Sequence, residues 1–288
     1  MFETTNKEKI LFPKSKISKE EFVNYYKKIA KLILPLIKDR PLSLKRFPNG
    51  IKSEKFFQKK IMDYYPKSIK TVQVKREGKT SIKMPVITDL NSLLYIANQV
   101  GEFHPWLSKK DKLNYPDRLI FDLDPAGANF SKVIEAARDL KKILDDLKLP
   151  TFLMTTGSKG LHIIVPIKPN NTFEEVRKIA KNIASILVDK YPSKYTIELR
   201  KEKRKNRVFI DYLRNSFAQT SVAPYSIRAI EAAPIATPIT FDELNKNLNA
   251  QKFNIKNIFS RKQNPFASLN SKRVSLKTAI KKIEKMLN

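Results

Sequence analysis

The sequence predicts an α+β protein whose second half folds as a split β-α-β sheet. Three observations predict this. Between residues 118 and 213 the segments run strand, helix, strand, strand, helix, strand. The helical segments repeat apolar residues at three- and four-residue spacing, whereas the strands are short runs rich in β-branched and aromatic residues. Of the 288 residues, 41% are hydrophobic and 10% aromatic, enough to bury a sizeable core and to exclude global disorder.

Taken in order, Ser18 and Glu21 form a capping box that opens the first helix. Phe22, Tyr25, Tyr26, Ile29, Leu32, Ile33 and Leu36 follow at helical spacing, and Pro35 and Pro41 are expected to close it. Residues 40–60 are a basic stretch with an Asn49-Gly50 turn and a Phe56-Phe57 pair, and residues 90–100 read as a short helix ending at Gly101. Strands are expected at 118–123, 151–155, 161–165 and 207–213, with a shorter one at 195–199. A helix over 131–148 stops at Pro150, and a second capping box, Thr172 with Glu175, opens a helix over 172–190. This is the ferredoxin-like or RRM-like arrangement, in which the first and last strands pair antiparallel. Leu276, Ile280, Ile283 and Leu287 share one face of a closing helix over 274–287. Neither an internal repeat nor a Gly/Ser-rich linker interrupts the chain. One domain is therefore expected, with an N-terminal α/β part (1–115), a catalytic RRM-like part (116–235) and a closing segment (236–288).

Lys and Arg number 57 against 28 Asp and Glu, a formal net charge of +29. An excess this large points to a polyanion. An AT-rich genome would enrich Lys, but it would enrich Glu equally, and Glu has not kept pace. The cations are spread through folded segments, not gathered in one amphipathic helix or tail, which favours nucleic acid over a membrane. No apolar run reaches the roughly 18–20 residues of a membrane span, and the N-terminus has no signal-peptide pattern. A cytoplasmic, nucleoid-associated protein is expected. The absence of Cys excludes disulfides, Cys-ligated zinc, iron–sulfur clusters and thiol catalysis, and two His residues are too few for a His-rich metal site.

The first strand of the split sheet ends in Phe121-Asp122-Leu123-Asp124-Pro125, and residues two apart in a strand share a face. Asp211 sits among apolar neighbours in the last strand. If the two strands pair, three carboxylates converge. Their mutual repulsion is relieved by hard divalent cations bound through oxygen, Mg²⁺ or Mn²⁺, and two such ions clamp an in-line phosphoryl displacement. An Asp-x-Asp strand end alone is more simply a turn; a third acid on the neighbouring strand of a strongly basic chain reverses that preference. Thr155-Thr156-Gly157-Ser158-Lys159-Gly160-Leu161-His162 is a glycine-bearing turn running into a strand, with three side-chain donors, Ser158, Lys159 and His162. Alone it is an ordinary hairpin turn; beside metal carboxylates it suits a triphosphate. Arg204, Arg207 and Arg228 add further cations. His104, beside Trp106, reads either as a packed core residue or as a polar group aimed at a ligand.

An ordered set of motifs spans nearly the whole chain: TNKEKILFP, RPLSLKRFPNG, FFQK, FHPW, RLIFDLDP, TGSKGLHIIVP, VFIDYLRN and APYSIR. By these the chain resembles the polymerase module of bacterial and archaeal ATP-dependent ligase D, a non-homologous end-joining branch of the archaeo-eukaryotic primase superfamily. The resemblance implies a primase-polymerase fold and a DNA-directed nucleotidyltransferase. It implies Asp122, Asp124 and Asp211 as ligands of two Mn²⁺ or Mg²⁺ ions. Ser158, Lys159, His162, Arg228 and Arg204 would hold the triphosphate, and His104 would line the nucleotide pocket near the sugar, with ribonucleotides preferred. Phe56 and Phe57 would stack on the template. Asn6, Lys9 and Lys19 would bind the 5′-phosphate at a gap or break, and Arg46, placed in the loop after the first helix, would configure template and primer. Nucleoside triphosphates, broken or gapped DNA, a ligase and an end-binding protein are the implied partners. Two departures stand out. Lys16 occupies a position where relatives commonly carry Gly, and Arg204-Lys205-Asn206-Arg207 stands where they often show Arg-x-Gly-Lys. No ligase or nuclease module is present in the sequence.

Two other functions use the same residues differently. A replicative or plasmid primase would employ the same three acids, but the 5′-phosphate residues favour gap filling. A non-catalytic RRM-like binder needs aromatic residues on its sheet face, where this chain carries acids.

Overall fold

Ser18 accepts a hydrogen bond from the Glu21 amide while the Glu21 carboxylate accepts one from the Ser18 amide, so the first long helix starts where the capping box predicts. The computed structural model describes residues 3–75 and 80–287. It groups them in two units, the first from Met1–Leu113, Thr220–Ala236 and Phe253–Lys262, the second from Asn114–Gln219, Thr237–Lys252 and Gln263–Asn288. Residues 220–236, expected with the part spanning 116–235, group with the first unit because backbone bonds draw them there. Ala223 donates to Phe103 and Ile235 to Phe253 in the first unit, whereas Thr237 exchanges bonds with Thr155 in the second.

The first unit contains β1 (Ile10–Phe12), β2 (Ile17–Ser18), α1 (Lys19–Ile37), β3 (Leu42–Arg46), β4 (Phe56–Gln58), β5 (Thr71–Lys75), β6 (Ser81–Pro85), α2 (Leu90–Asn98) and β7 (Gly101–Pro105). Pro35 lies inside α1 instead of ending it; a proline deletes only its own N–H bond, and the last turn continues past it. Phe22 and Tyr26 of α1 meet Phe47 and Phe103 edge-on and stacked, the aromatic centre of this unit. The sheet order β4-β3-β7 pairs Arg46 with both Phe56 and Gly101, and Lys45 with both Phe57 and Glu102. Arg46 is thus the last residue of a strand, not part of a loop. The β5–β6 pair was not anticipated. Its signal was the alternation of Val72 and Val74 against Ile82 and Met84, and it buries Val74 and Met84 with Trp106.

The second unit contains β8 (Arg118–Asp124), α3 (Phe130–Asp146), β9 (Phe152–Thr155), β10 (Leu161–Pro166), α4 (Phe173–Lys190), β11 (Tyr195–Thr196), β12 (Val208–Asp211), β13 (Pro238–Ile239) and α5 (Lys277–Leu287). The sheet order is β11-β12-β8-β10-β9-β13. Its inner four strands have the expected split β-α-β order, and β12 pairs antiparallel with β8. Two additions widen it: β11 runs parallel to β12 at one edge, and β13 closes the other. β11 is only two residues long, and a 3-10 turn at Lys201–Lys203 lies further along the chain before β12. Leu119, Phe121 and Leu123 alternate with the acids of β8 and are fully buried. Among the described residues no helix is long and apolar enough to cross a membrane.

Gly160 fixes how closely the phosphate-type turn approaches β8. A Cβ there would collide with the Leu123 carbonyl oxygen, a backbone atom that cannot swing aside. Gly160→Ala should therefore destabilise the protein by about 1–3 kcal/mol through overpacking. Urea unfolding of the two proteins checks this; an unchanged midpoint would mean the strand ends separate freely.

Candidate active site

The sheet of the second unit lines up three functional side chains across adjacent strands. Asp211 of β12 lies opposite Asp122 of β8, and Asp122 lies opposite His162 of β10. Directly paired residues share a face; of the three carboxylates expected to converge, Asp122 and Asp211 lie opposite one another, and His162 stands in the same row. His162 Nε2 stands 3.4 Å from Asp122 Oδ1. Arg214, which the sequence reading missed, stands on the other side: its Nε is 3.3 Å from Asp122 Oδ2 and 3.3 Å from Asp211 Oδ2. Its signal was the spacing Asp211-Tyr212-Leu213-Arg214, one 3-10 turn beyond the last acid.

The two acids respond in opposite directions. Burial would push the Asp122 carboxyl up, but His162 and Arg214 outweigh it and hold the group below its ordinary value. Burial and the neighbouring negative charge of Asp122 push Asp211 up, with Arg214 and the Leu213 amide only partly compensating. A half-buried carboxylate pair that one cation incompletely neutralises could hold a divalent ion. Asp124 lies two residues from Asp122 on the same face, and its Oδ1 accepts the Ala126 N–H at 2.8 Å. Among the described residues no three acid or His side chains stand close enough together to enclose one ion. The all-oxygen donor set nevertheless suits Mg²⁺ or Mn²⁺, and the Arg214 guanidinium already acts as a cation between two of its members.

The turn carrying Ser158 and Lys159 is organised by a residue the sequence reading passed over. Thr156 Oγ1 accepts the amides of Ser158 (3.3 Å) and Gly160 (3.1 Å), and its hydroxyl donates to the Gly160 carbonyl. Gln251 donates to the Ser158 carbonyl at 2.9 Å. Lys159 is exposed and Ser158 partly so. Through Gly160 the turn abuts Leu123 and Asp124, so the donor-rich turn and the acids adjoin. Arg204 lies over the Phe209 ring, 3.7 Å from its centroid, and donates to the Glu198 and Leu199 carbonyls. Phe209 is paired with Asp124, which puts the Arg204 guanidinium over the acid-bearing face. Lys205 and Asn206 follow with left-handed φ of +48° and +57°, so Asn206 adopts the conformation Gly favours.

In the first unit, His104 belongs to a buried charged cluster. His104 Nε2 is 3.1 Å from Glu102 Oε2, Arg228 Nε donates to the same oxygen at 3.0 Å, and the Ala229 amide donates to Oε1 at 2.8 Å. Although burial opposes ionisation, these donors bring the Glu102 carboxyl down to about 2. Burial lowers His104, against the pull of Glu102. Glu102 was not anticipated, yet Glu102-Phe103-His104 in one strand places the pair on one face. Phe57 meets His104 edge-on, 5.6 Å between centroids. Phe56 and Phe57 are 45% and 56% exposed and, as consecutive strand residues, point to opposite faces. Arg46 lies over the Phe56 ring and donates to the Gln99 carbonyl, Gln58 and the Tyr64 hydroxyl.

Lys19, the first residue of α1, is buried and donates to Thr5 at 2.9 Å, while Lys9 donates to Asn49 at 2.7 Å. Burial lowers the Lys19 ammonium, and the positive charges of Lys9 and Arg46 lower it further. Three cations thus cluster with neutral hydrogen-bond partners. Asn6 holds a left-handed turn (φ +49°) whose carbonyl accepts the Lys9 amide. Lys16 likewise has a left-handed φ of +54°.

A six-stranded sheet with paired acids beside a donor-rich turn defines a nucleotidyltransferase of the primase-polymerase class. The model of the LigD primase-polymerase domain matches residues 18–266, and the chain belongs to that family of DNA-directed nucleotidyltransferases. It is 31% identical over 261 residues to the bifunctional non-homologous end joining protein LigD of Bacillus subtilis, covering 89% of this chain and 42% of that protein. It is 34% identical over 252 residues to the multifunctional LigD of Mycobacterium tuberculosis, covering 84% of this chain and 33% of that protein. The chain therefore spans less than half the length of these relatives. The solved polymerase domain of Mycobacterium tuberculosis ligase D in complex with DNA superposes with a TM-score of 0.88 at 29% identity, over 95% of this chain and 99% of that one.

Proposed function

We propose that the chain is a template-dependent nucleotidyltransferase that fills gaps and extends ends during DNA break repair. The observation that carries this reading is the row Asp211, Asp122 and His162, with Asp124 and the Thr156–Gly160 turn beside it. Asp122, Asp124 and Asp211 would hold two Mn²⁺ or Mg²⁺ ions. Bound there, such ions stabilise charge on the attacking 3′-oxygen and the leaving pyrophosphate. His162 braces Asp122 from the side opposite Arg214 and so fixes the carboxylate in its row. Ser158 and Lys159 present a hydroxyl and an ammonium to the triphosphate, on a turn whose backbone Thr156 holds rigid. The names of the relatives place LigD in non-homologous end joining, and the partners we propose for this chain are a ligase and an end-binding protein.

The cluster of Lys9, Lys19 and Arg46 supports recognition of a downstream 5′-phosphate. A terminal phosphate carries more charge than an internal diester, and a partly desolvated group of cations discriminates between them by charge. This distinguishes gap filling from de novo priming, which has no downstream 5′ end to recognise. Primer extension on gapped DNA tests the reading. Extension is expected to be more efficient with a 5′-phosphate than with a 5′-hydroxyl, and Lys9→Ala combined with Lys19→Ala should erase the difference while leaving weak general DNA binding. If the wild-type protein extends both gaps equally, the pocket and the gap-filling reading fail together. The same gap offered rNTPs and dNTPs in competition tests the ribonucleotide preference, which rests on the resemblance alone.

A further inference from the structure

We infer that Arg214 is a resident counter-ion of the acid pair, which a metal ion must displace to bind. The inference rests on the metal-binding role proposed above for Asp122 and Asp211. Each carboxylate uses one oxygen on a fixed neighbour: Oδ1 of Asp211 accepts the Leu213 amide at 2.8 Å, and Oδ1 of Asp122 faces His162. The remaining oxygens, Oδ2 of both, converge on one atom, Arg214 Nε. Asp122 and Asp211 would hold the ion through their carboxylates, so the guanidinium competes with it for the same acids.

Two further features make this a displaceable plug and not a permanent salt bridge. The contacts are single and long, 3.3 Å each, whereas a forked Arg–carboxylate pair closes to about 2.7–2.9 Å. The Arg214 side chain is also 39% exposed, so it can leave towards water. Its backbone, by contrast, is anchored. Asn215, fully buried, donates to the Ile120 and Tyr212 carbonyls and accepts the Ile120 amide, bolting the turn to β8 two residues from Asp122. A displaced guanidinium therefore stays tethered beside the acids and returns when the ion departs. Arg214 thereby spares the metal-free protein an unneutralised carboxylate pair and raises the metal concentration needed to load the site.

The test compares Mn²⁺ uptake, read from the electron paramagnetic resonance signal of free Mn²⁺, by wild type, Arg214→Gln and Asp211→Asn. Arg214→Gln should bind Mn²⁺ about tenfold more tightly or better, the scale on which one adjacent charge shifts a carboxylate's affinity for a proton. In chelator the same variant should melt below wild type, and saturating Mn²⁺ should close that gap. Arg214→Lys, which keeps a charge, should fall between the two in both measurements and serves if the glutamine variant folds poorly. Unchanged or weaker Mn²⁺ binding by Arg214→Gln, with binding lost in Asp211→Asn, overturns the counter-ion role and leaves the metal reading intact. Absence of uptake by every protein overturns the metal reading itself.

Discussion

Asp122→Asn is expected to reduce nucleotide addition by about a hundredfold to a thousandfold, the scale seen when one electrostatic stabiliser of a transition state is removed. Asp122 sits at the centre of the row, between Asp211 and His162. The substitution keeps its shape and removes the charge a divalent ion would need. It also removes the negative charge that, together with burial, pushes Asp211 up. DNA affinity should persist, because it arises from Lys and Arg contacts to the phosphate backbone in a chain of net charge +29. Primer extension and a binding titration at one fixed salt concentration separate the two effects. Extension within tenfold of wild type would remove Asp122 from the chemistry; parallel loss of binding would show that the acid row serves folding or docking instead.

The second large effect concerns stability and lies in the first unit. Glu102→Ala should destabilise the protein by about 3–5 kcal/mol, because it takes the buried carboxylate away from the largely covered Arg228 guanidinium. The pH dependence follows from the direction of the shifts. Glu102 titrates at about 2 in the folded state against an ordinary 4.5, so the unfolded chain takes up its proton first. The stabilisation is complete above the ordinary value and is lost as pH falls from there towards 2. A displacement of that size corresponds to about 3 kcal/mol, with little screening because the side chain is 2% exposed. His104 is also depressed, and its unfolded form likewise binds protons more readily, so acid weakens the fold through both members of the cluster. Urea unfolding at a series of pH values should show a steep loss below about 4.5 that Glu102→Gln flattens. Identical slopes in the two proteins would mean that another acid carries the transition.

Much of this was legible in the residues. Ser18 with Glu21 and Thr172 with Glu175 marked two helix starts to the residue, because a cap is a local hydrogen-bond pattern. The alternation in Phe121-Asp122-Leu123-Asp124 placed both acids on one face, because side-chain direction in a strand has a period of two. The antiparallel pairing that brings Asp211 to Asp122 followed from the order of elements alone. Where long-range contacts decide, local pattern is silent. Pro35 did not end α1, since packing of Phe22, Tyr26 and Ile33 outweighs one missing bond.

By itself the sequence determined the element order, the polarity of each strand face, the strongly basic charge and the convergence of acids from two strands, all properties of periodicity and composition. Only the tertiary structure decided that Arg214 stands between Asp122 and Asp211, that Glu102 joins His104 to Arg228 across more than a hundred residues, and that Thr220–Ala236 joins the first unit. The physical reason is the same in each case. A buried charge or an open backbone group must find a partner, and which partner it finds depends on which segments the fold brings within a few ångströms.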